Sequence, residues 1–243
     1  PCINNSEDIC VLHGRTIYLG LNRIQGLEQD KLRLIFDERN REGPYSDLYH
    51  FLQRIPLGLE QMRLLIRAGC FRFCGRPMRE LLWEVHALLQ PVKQQLAGAE
   101  LFSIDAPQWQ LPPLIYSEQE EAFEQIELLG FPLHSPFILL REAVPSDLKA
   151  QELKNRTGQE VSITAYLVHV KGTQTYKGER MQFGTFIDRE GDWVDTVHFP
   201  PCARAYPFSG PGVYTITGVV EEEYDFIFIN VSSLIRLPYI DRE

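Results

Sequence analysis

Two hydrophobic periods divide the chain. Over the first part apolar residues recur every three to four positions, the spacing of amphipathic helices. Asp30 to Arg41 places Leu32, Ile35, Phe36 and Arg39 on one face and stops at the Gly43-Pro44 breaker. Tyr45 to Arg54 repeats the pattern with Leu48, Tyr49, Phe51 and Leu52, with Ser46 as candidate cap and Pro56 as terminator. Leu59 to Ala68 forms a third helix ending at Gly69, and Pro77 to Leu89 a fourth with Leu81, Leu82, Val85, Leu88 and Leu89 inward. Residues 96–116 break the period with Pro107, Pro112 and Pro113 and read as an extended linker. Ser117 to Leu129 returns to helix, where Ser117 and a run of glutamates suit the positive end of the helix dipole.

From Glu160 the period changes to two. Val161, Ile163, Ala165 and Leu167 form one alternating set and Met181, Phe183, Thr185 and Ile187 a second, followed by Trp193 to Phe199, Val213 to Val220 and Phe226 to Val231. The turns fall at Gly172 to Gly178, Asp188 to Asp192, Pro200 to Pro211 and Glu221 to Asp225. Five strands with one longer interruption after the third have the rhythm of an OB-fold β-barrel, a fragment of a larger sandwich being the competing reading. The expected organisation is α+β and multidomain: a helical region over 1–95, a linker with a connecting helix over 96–158, and a barrel over 159–243.

Composition narrows this picture. The 243 residues are 44% hydrophobic and 23% charged, enough to bury real cores, which excludes a disordered or collagen-like chain. The net charge of −9 argues against a surface that grips nucleic acid everywhere, because phosphate binding draws on Lys and Arg. That charge is unevenly spread. Residues 1–95 hold 13 basic and 11 acidic side chains, the remainder 11 and 22, so any nucleic-acid contact is expected to favour the helical part. The five cysteines lack paired CxxC spacing and read as reduced thiols of a cytoplasmic protein. No stretch has the length of a membrane span, so no membrane partner is expected. A first residue of Pro1 suggests a piece of something longer.

Candidate chemistry is sparse. Gly26 in Ile24-Gln25-Gly26-Leu27-Glu28 and Gly58 in Pro56-Leu57-Gly58-Leu59-Glu60 form an internal echo before two helices. Gly at such a hairpin lets backbone N–H groups approach a phosphate, although Glu28 and Glu60 would repel one; a purely structural helix pair is the alternative. Arg63, Arg67, Arg72, Arg76 and Arg79 crowd around Phe71 and Phe73, as nucleic-acid binding or as a solvated face paired with Glu80 and Glu84. In the barrel, Tyr176, Lys177 and Arg180 occupy the first inter-strand loop, which in OB barrels helps grip single strands. The acidic Glu221 to Asp225 loop stands where the second gripping loop falls. Glu118, Glu120, Glu121 and Glu124 read as a solvated helix face. No phosphate-binding loop followed by Lys and Ser/Thr occurs, and neither a catalytic group, a metal site nor a cofactor is expected.

Several segments, in order, resemble the C-terminal region of bacterial family C DNA polymerases. Ile17-Tyr18-Leu19-Gly20-Leu21 with Ile24-Gln25-Gly26-Leu27, then Gly43-Pro44-Tyr45 with Asp47-Leu48, then Leu65-Ile66-Arg67-Ala68-Gly69-Cys70-Phe71 are similar to their tandem helix-hairpin-helix region. Glu127-Leu128-Leu129-Gly130-Phe131-Pro132-Leu133 resembles the stretch before their OB domain, and Thr175 to Phe199 that domain's first three strands. The resemblance implies a parent that is a DNA-directed DNA polymerase, its catalytic aspartates upstream, and a non-catalytic region here that contacts duplex and single-stranded DNA. It also implies a sliding-clamp peptide in the linker, where Leu101 and Phe102 are the candidate anchors although Gly98 replaces the usual Gln, and proximity to other replisome subunits. The alternative is a protein-interaction module of an error-prone paralogue whose OB domain has degenerated.

Overall fold

The computed structural model describes residues 1–89, 117–144 and 146–242, which divide into two compact units, Pro1–Leu133 and His134–Glu243. The linker candidates Leu101 and Phe102 lie outside the described residues.

The first unit opens with a small hairpin, β1 (Val11–His13) and β2 (Thr16–Tyr18), that sequence periodicity passes over because each strand has three residues. Four helices follow as the apolar spacing predicts: α1 (Gln29–Glu42), α2 (Leu48–Arg54), α3 (Leu59–Arg67) and α4 (Met78–Leu89). The cap of α2 is Asp47 rather than Ser46. Its carboxylate accepts from the His50 N–H at 2.7 Å, while the Ser46 hydroxyl donates to that same carboxylate. Helix α5 (Glu118–Leu129) begins with a capping box between Ser117 and Glu120 and packs within this unit, burying Ala122, Gln125, Leu128 and Leu129.

One core joins these helices, centred on Leu32, Ile35, Phe51, Met62, Leu65, Phe71 and Val85. Edge-to-face contacts of Phe51 with Tyr45 and Phe71, at 4.8 and 5.2 Å between ring centroids, fix the crossing of α2 and the α3–α4 turn. Arg39, on the inner face of α1 as its spacing predicts, is buried. It donates to the carbonyls of Ile3 and Ser6 at 2.9 and 2.7 Å and pairs with Glu7, so one guanidinium ties the N-terminal segment to the helix.

The second unit is a closed barrel of five strands in the order β3-β4-β5-β7-β6. These are β3 (Glu160–Gln174), β4 (Arg180–Ile187), β5 (Trp193–His198), β6 (Val213–Glu223) and β7 (Phe226–Arg236). All neighbours are antiparallel except β5 and β7, which is the connectivity of an OB fold. The first strand is twice as long as its periodicity suggests, since its first half pairs with β6 and its second with β4, around an irregularity between Leu167 and His169. A short helix, α6 (Pro200–Ala205), fills the long interruption between the third and fourth barrel strands, where the sequence predicts a turn; its two prolines occupy the first helical positions, which need no backbone N–H.

In β3 the expected set Val161, Ile163, Ala165 and Leu167 does line the core. In β4 the expected face is inverted. Gln182, Gly184 and Phe186 point inward, whereas Met181, Phe183 and Thr185 lie on the outer surface. Gly184 explains the inversion: a Cβ there would sit 2.6 Å from the Thr196 hydroxyl and 3.0 Å from the Phe208 ring, which already fill that part of the interior. A second cluster, Phe137, Tyr166 and Val213 with Leu140, Leu237 and Tyr239, covers another part of the barrel's exterior.

Candidate nucleic-acid interface

The two echoing hairpins are not built alike. Gly26 has φ +82°, a left-handed conformation that explains the glycine, and its carbonyl accepts from the Gln61 side chain at 3.2 Å. The same amide's oxygen accepts from the N–H of Glu28 at 3.0 Å, and the N–H of Gln25 donates to the Leu128 carbonyl at 2.9 Å. The polar backbone of this hairpin is therefore largely tied to α3 and α5. Gly58 has an ordinary φ of −71° and open space where a Cβ would stand. Acidic residues sit in the first turns that follow, Asp30 in α1 and Glu60 in α3.

The arginine cluster meets carboxylates throughout. Arg63 is half-exposed and pairs with Glu60 at 3.3 Å. Arg67 pairs with Glu124 and, at 2.9 Å, with Glu127. Partial burial would lower the pKa of this guanidinium, but hydrogen bonds to Glu127 and the charge of Glu124 raise it on balance. Arg72 pairs with Glu121, Arg79 with Glu120, and Arg76 with Glu80 and the buried Glu84. The expectation that Glu120, Glu121 and Glu124 form a merely solvated face is thus corrected: they receive the arginines of α3, the α3–α4 turn and α4, fastening α5 to the unit.

The barrel presents a different surface. Tyr176 is 93% exposed at the β3–β4 turn, with the Lys177 ammonium 5.5 Å from its ring centroid. Gly178, at φ +79°, closes that turn, and Arg180 is exposed at the start of β4. Glu179 points away toward Arg204 of α6, at 3.4 Å. Beside this turn the outward row of β4 and β5 forms a strip. Phe183 stands opposite Lys171 on one side and Val197 on the other, Thr185 opposite His169 and Asp195, and Phe199 just past the end of β5. Phe183 and Phe199 are 40% and 42% exposed.

Two flat aromatic faces in a sheet flanked by Lys171, Lys177 and Arg180 can stack bases while cations follow the backbone. Sequence reasoning misses Phe183 and Phe199 because both fall within strand patterns, which do not say which face is outward. The signal that could have found Phe183 was Gly184 next to it, since a strand glycine marks close packing on its own side. Behind the strip the interior is polar. Thr196 donates to the Gly184 carbonyl at 2.9 Å and lies 2.9 Å from Nε2 of the fully buried His198, whose pKa burial pushes down to about 4. Among the described residues no group of His, Cys, Asp and Glu is placed to hold a metal ion, and no helix is long and apolar enough to cross a membrane.

Residues 1–81 match the family model described as helix-hairpin-helix motif. The chain is 27% identical to the DNA polymerase III subunit alpha of Staphylococcus epidermidis over 98% of its own length and 23% of that protein's. It is 29% identical to the corresponding subunit of Treponema pallidum over 82% of its length and 18% of that protein's. It therefore spans less than a quarter of these relatives. Among solved structures, an OBody bound to hen egg-white lysozyme overlaps 41% of this chain and 99% of its own, at 21% identity and a TM-score of 0.31. The second OB-fold domain of replication protein A from Methanococcus maripaludis overlaps 36% of this chain and 89% of its own, at 15% identity and a TM-score of 0.24. With a helix-hairpin-helix region followed by an OB-type barrel, the chain is similar, over 82–98% of its own length, to the DNA polymerase III alpha subunits, and it matches one segment of them.

Proposed function

We propose that this chain is a DNA-holding, non-catalytic region of a replicative DNA polymerase, in which the barrel contacts single-stranded template and the helical unit the duplex backbone. The observation that carries this reading is the outer strip of the barrel, where Phe183, Phe199 and Tyr176 are exposed beside Lys171, Lys177 and Arg180. Stacking on such rings is indifferent to base identity, which suits a template path. The relatedness to DNA polymerase III alpha subunits supports DNA-directed DNA synthesis as the activity of the parent protein.

The helical unit contributes less charge than its arginine count suggests, because Arg67, Arg72, Arg76 and Arg79 are matched by carboxylates. Duplex contact then falls on the Gly26 and Gly58 hairpins and on Arg63, whose pair with Glu60 is the most exposed of the cluster and so the weakest competitor for a phosphate. Leu101 and Phe102 are proposed as sliding-clamp anchors on the strength of the linker sequence.

The test is binding of the 243-residue chain to labelled oligo-dT and to a primed duplex over a range of salt. Salt-dependent binding is expected. Phe183→Ala combined with Phe199→Ala should weaken oligo-dT binding about thirtyfold or more, given about 1–3 kcal/mol per stacked base and two rings removed. Absence of salt-dependent binding, or full retention by the double variant, would overturn the barrel assignment. Clamp capture that survives Leu101→Ala with Phe102→Ala would remove those two residues from the proposal.

A further inference from the structure

The two ends of the barrel differ in chemistry. At one end stand Lys177 of the β3–β4 turn, Arg180 at the start of β4, Arg204 of α6 and Arg236, the last residue of β7. At the other end β5 and β7 begin. These strands run parallel with Thr196 opposite Ile229, so their first residues, Trp193 and Phe226, open at the same end. Trp193 is 64% exposed and Phe226 55%, and next to Phe226 the tip of the β6–β7 hairpin holds Tyr224, fully exposed. None of the three rings stacks on another aromatic ring or a cation among the described residues.

The hairpin that carries Tyr224 also carries Glu222, Glu223 and Asp225, all exposed and without an ion pair among the described residues, while Glu221 accepts from Asn230 at 2.8 Å. Tyr224 and Asp225 both have positive φ, 51° and 64°, the geometry of a two-residue turn that favours Asn-Gly. A bulky tyrosine is held there against its conformational preference, which is common where a side chain serves recognition. The cations of this end, Lys149, Lys154, Arg156 and Arg189, belong to the 3-10 segment before β3 and to the β4–β5 turn. Lys149 is already paired with Glu190 at 3.2 Å.

We propose that this end of the barrel docks a basic, apolar-flanked peptide segment of a partner protein. Its Lys or Arg side chains meet Glu222, Glu223 and Asp225, and its apolar residues or guanidinium planes cover Trp193, Tyr224 and Phe226. Exposed aromatics alone would accept many occupants. The carboxylates around them select a cationic one and repel a nucleic-acid strand, since phosphate and carboxylate carry like charge. A barrel with one cationic and one anionic aromatic surface can hold DNA and a protein at the same time. This docking surface shares no residue with the proposed template path, so either assignment can fail without the other.

The test uses the 243-residue chain and three labelled probes: a peptide alternating arginine and leucine, one alternating glutamate and leucine, and oligo-dT. The basic peptide is expected to bind saturably and the acidic one not. Glu222→Lys, Glu223→Lys and Asp225→Lys together should weaken the basic peptide by about tenfold or more, as should Trp193→Ser with Phe226→Ser. A control that reverses the same number of charges elsewhere, at Asp37, Glu42 and Glu142, should leave binding within about twofold. Tyr224→Asn, fully exposed and suited to the turn, gives a second aromatic probe if the double variant does not fold, and it too should weaken the basic peptide. Equal weakening by the control, or peptide binding undiminished in the aromatic variants, would overturn the proposal. So would loss of oligo-dT binding, in place of peptide binding, on mutating this end.

Discussion

Acidification should loosen the barrel through one side chain, His198. Its ring lies in the interior, with Nε2 2.9 Å from the Thr196 hydroxyl, Nδ1 3.9 Å from the Cys202 thiol and the Phe208 ring centroid 4.7 Å away. The Thr196 hydroxyl donates to the Gly184 carbonyl, so it must accept from the ring, which makes Nε2 the protonated nitrogen of the neutral imidazole. A second proton on Nδ1 would find only a thiol. Burial accordingly holds the folded pKa at about 4, against the ordinary 6.5 of a solvated imidazole. Because the folded value is the lower one, the stabilising effect of keeping the ring neutral is complete above the unfolded pKa. It is lost progressively as pH falls from about 6.5 toward 4.

At about 1.4 kcal/mol per pH unit between the two values, the full loss is about 3 kcal/mol, of which about 2 kcal/mol has gone by pH 5. The direct assay is NMR titration of the imidazole, expected to show no protonation of His198 above pH 5. Hydrogen exchange in β4 and β5 should report the matching loss of barrel stability, and His198→Phe should flatten its pH dependence relative to the parent chain. An imidazole titrating above pH 6, or an unchanged pH dependence in His198→Phe, would refute the reasoning.

Three further outcomes follow from packing. Gly218→Ala drives a Cβ into the Asn230 carbonyl and to 2.8 Å from Ile229, and should cost about 2–3 kcal/mol in denaturant unfolding of the barrel. Arg39→Met removes the donors to the Ile3 and Ser6 carbonyls and the pair with Glu7, and should make residues 1–8 susceptible to proteolysis while α1 persists by circular dichroism. Ser117→Ala deletes one arm of the capping box on α5 and should lower the stability of the helical unit by about 1 kcal/mol, measured as a reduced urea midpoint.

What could be read from the sequence was what repeats. The helices α1, α3 and α4 declare themselves through apolar residues at helical spacing, and the barrel through alternating runs separated by Gly- and Pro-rich turns. What escaped depends on partners distant in the chain. Whether Phe183 faces in or out is decided by Thr196 and Phe208 filling the space beside Gly184. The run of glutamates in α5 looks like solvated charge until Arg67, Arg72 and Arg79 are placed opposite it. The same pairing explains why a crowd of arginines overstated the cationic surface of the helical unit. In the barrel, Tyr176, Lys177 and Arg180 lie in an exposed turn and strand start, where sequence alone suffices to place them.

The double pairing of β3 has a consequence for how the barrel is made. Its second half meets β4 across a short turn, a local contact that forms early. Its first half, Glu160 to Ala165, has no sheet partner until residues 214–219 exist to pair with it. Closure therefore waits for nearly the whole domain to be synthesised, and such long-range pairing is the slow step of β-sheet folding. During that interval a run of Val161, Ile163 and Ala165 remains an open edge able to join another chain. Truncations that end before β6 should consequently aggregate through this strand, whereas those that end before β3 leave no such edge behind.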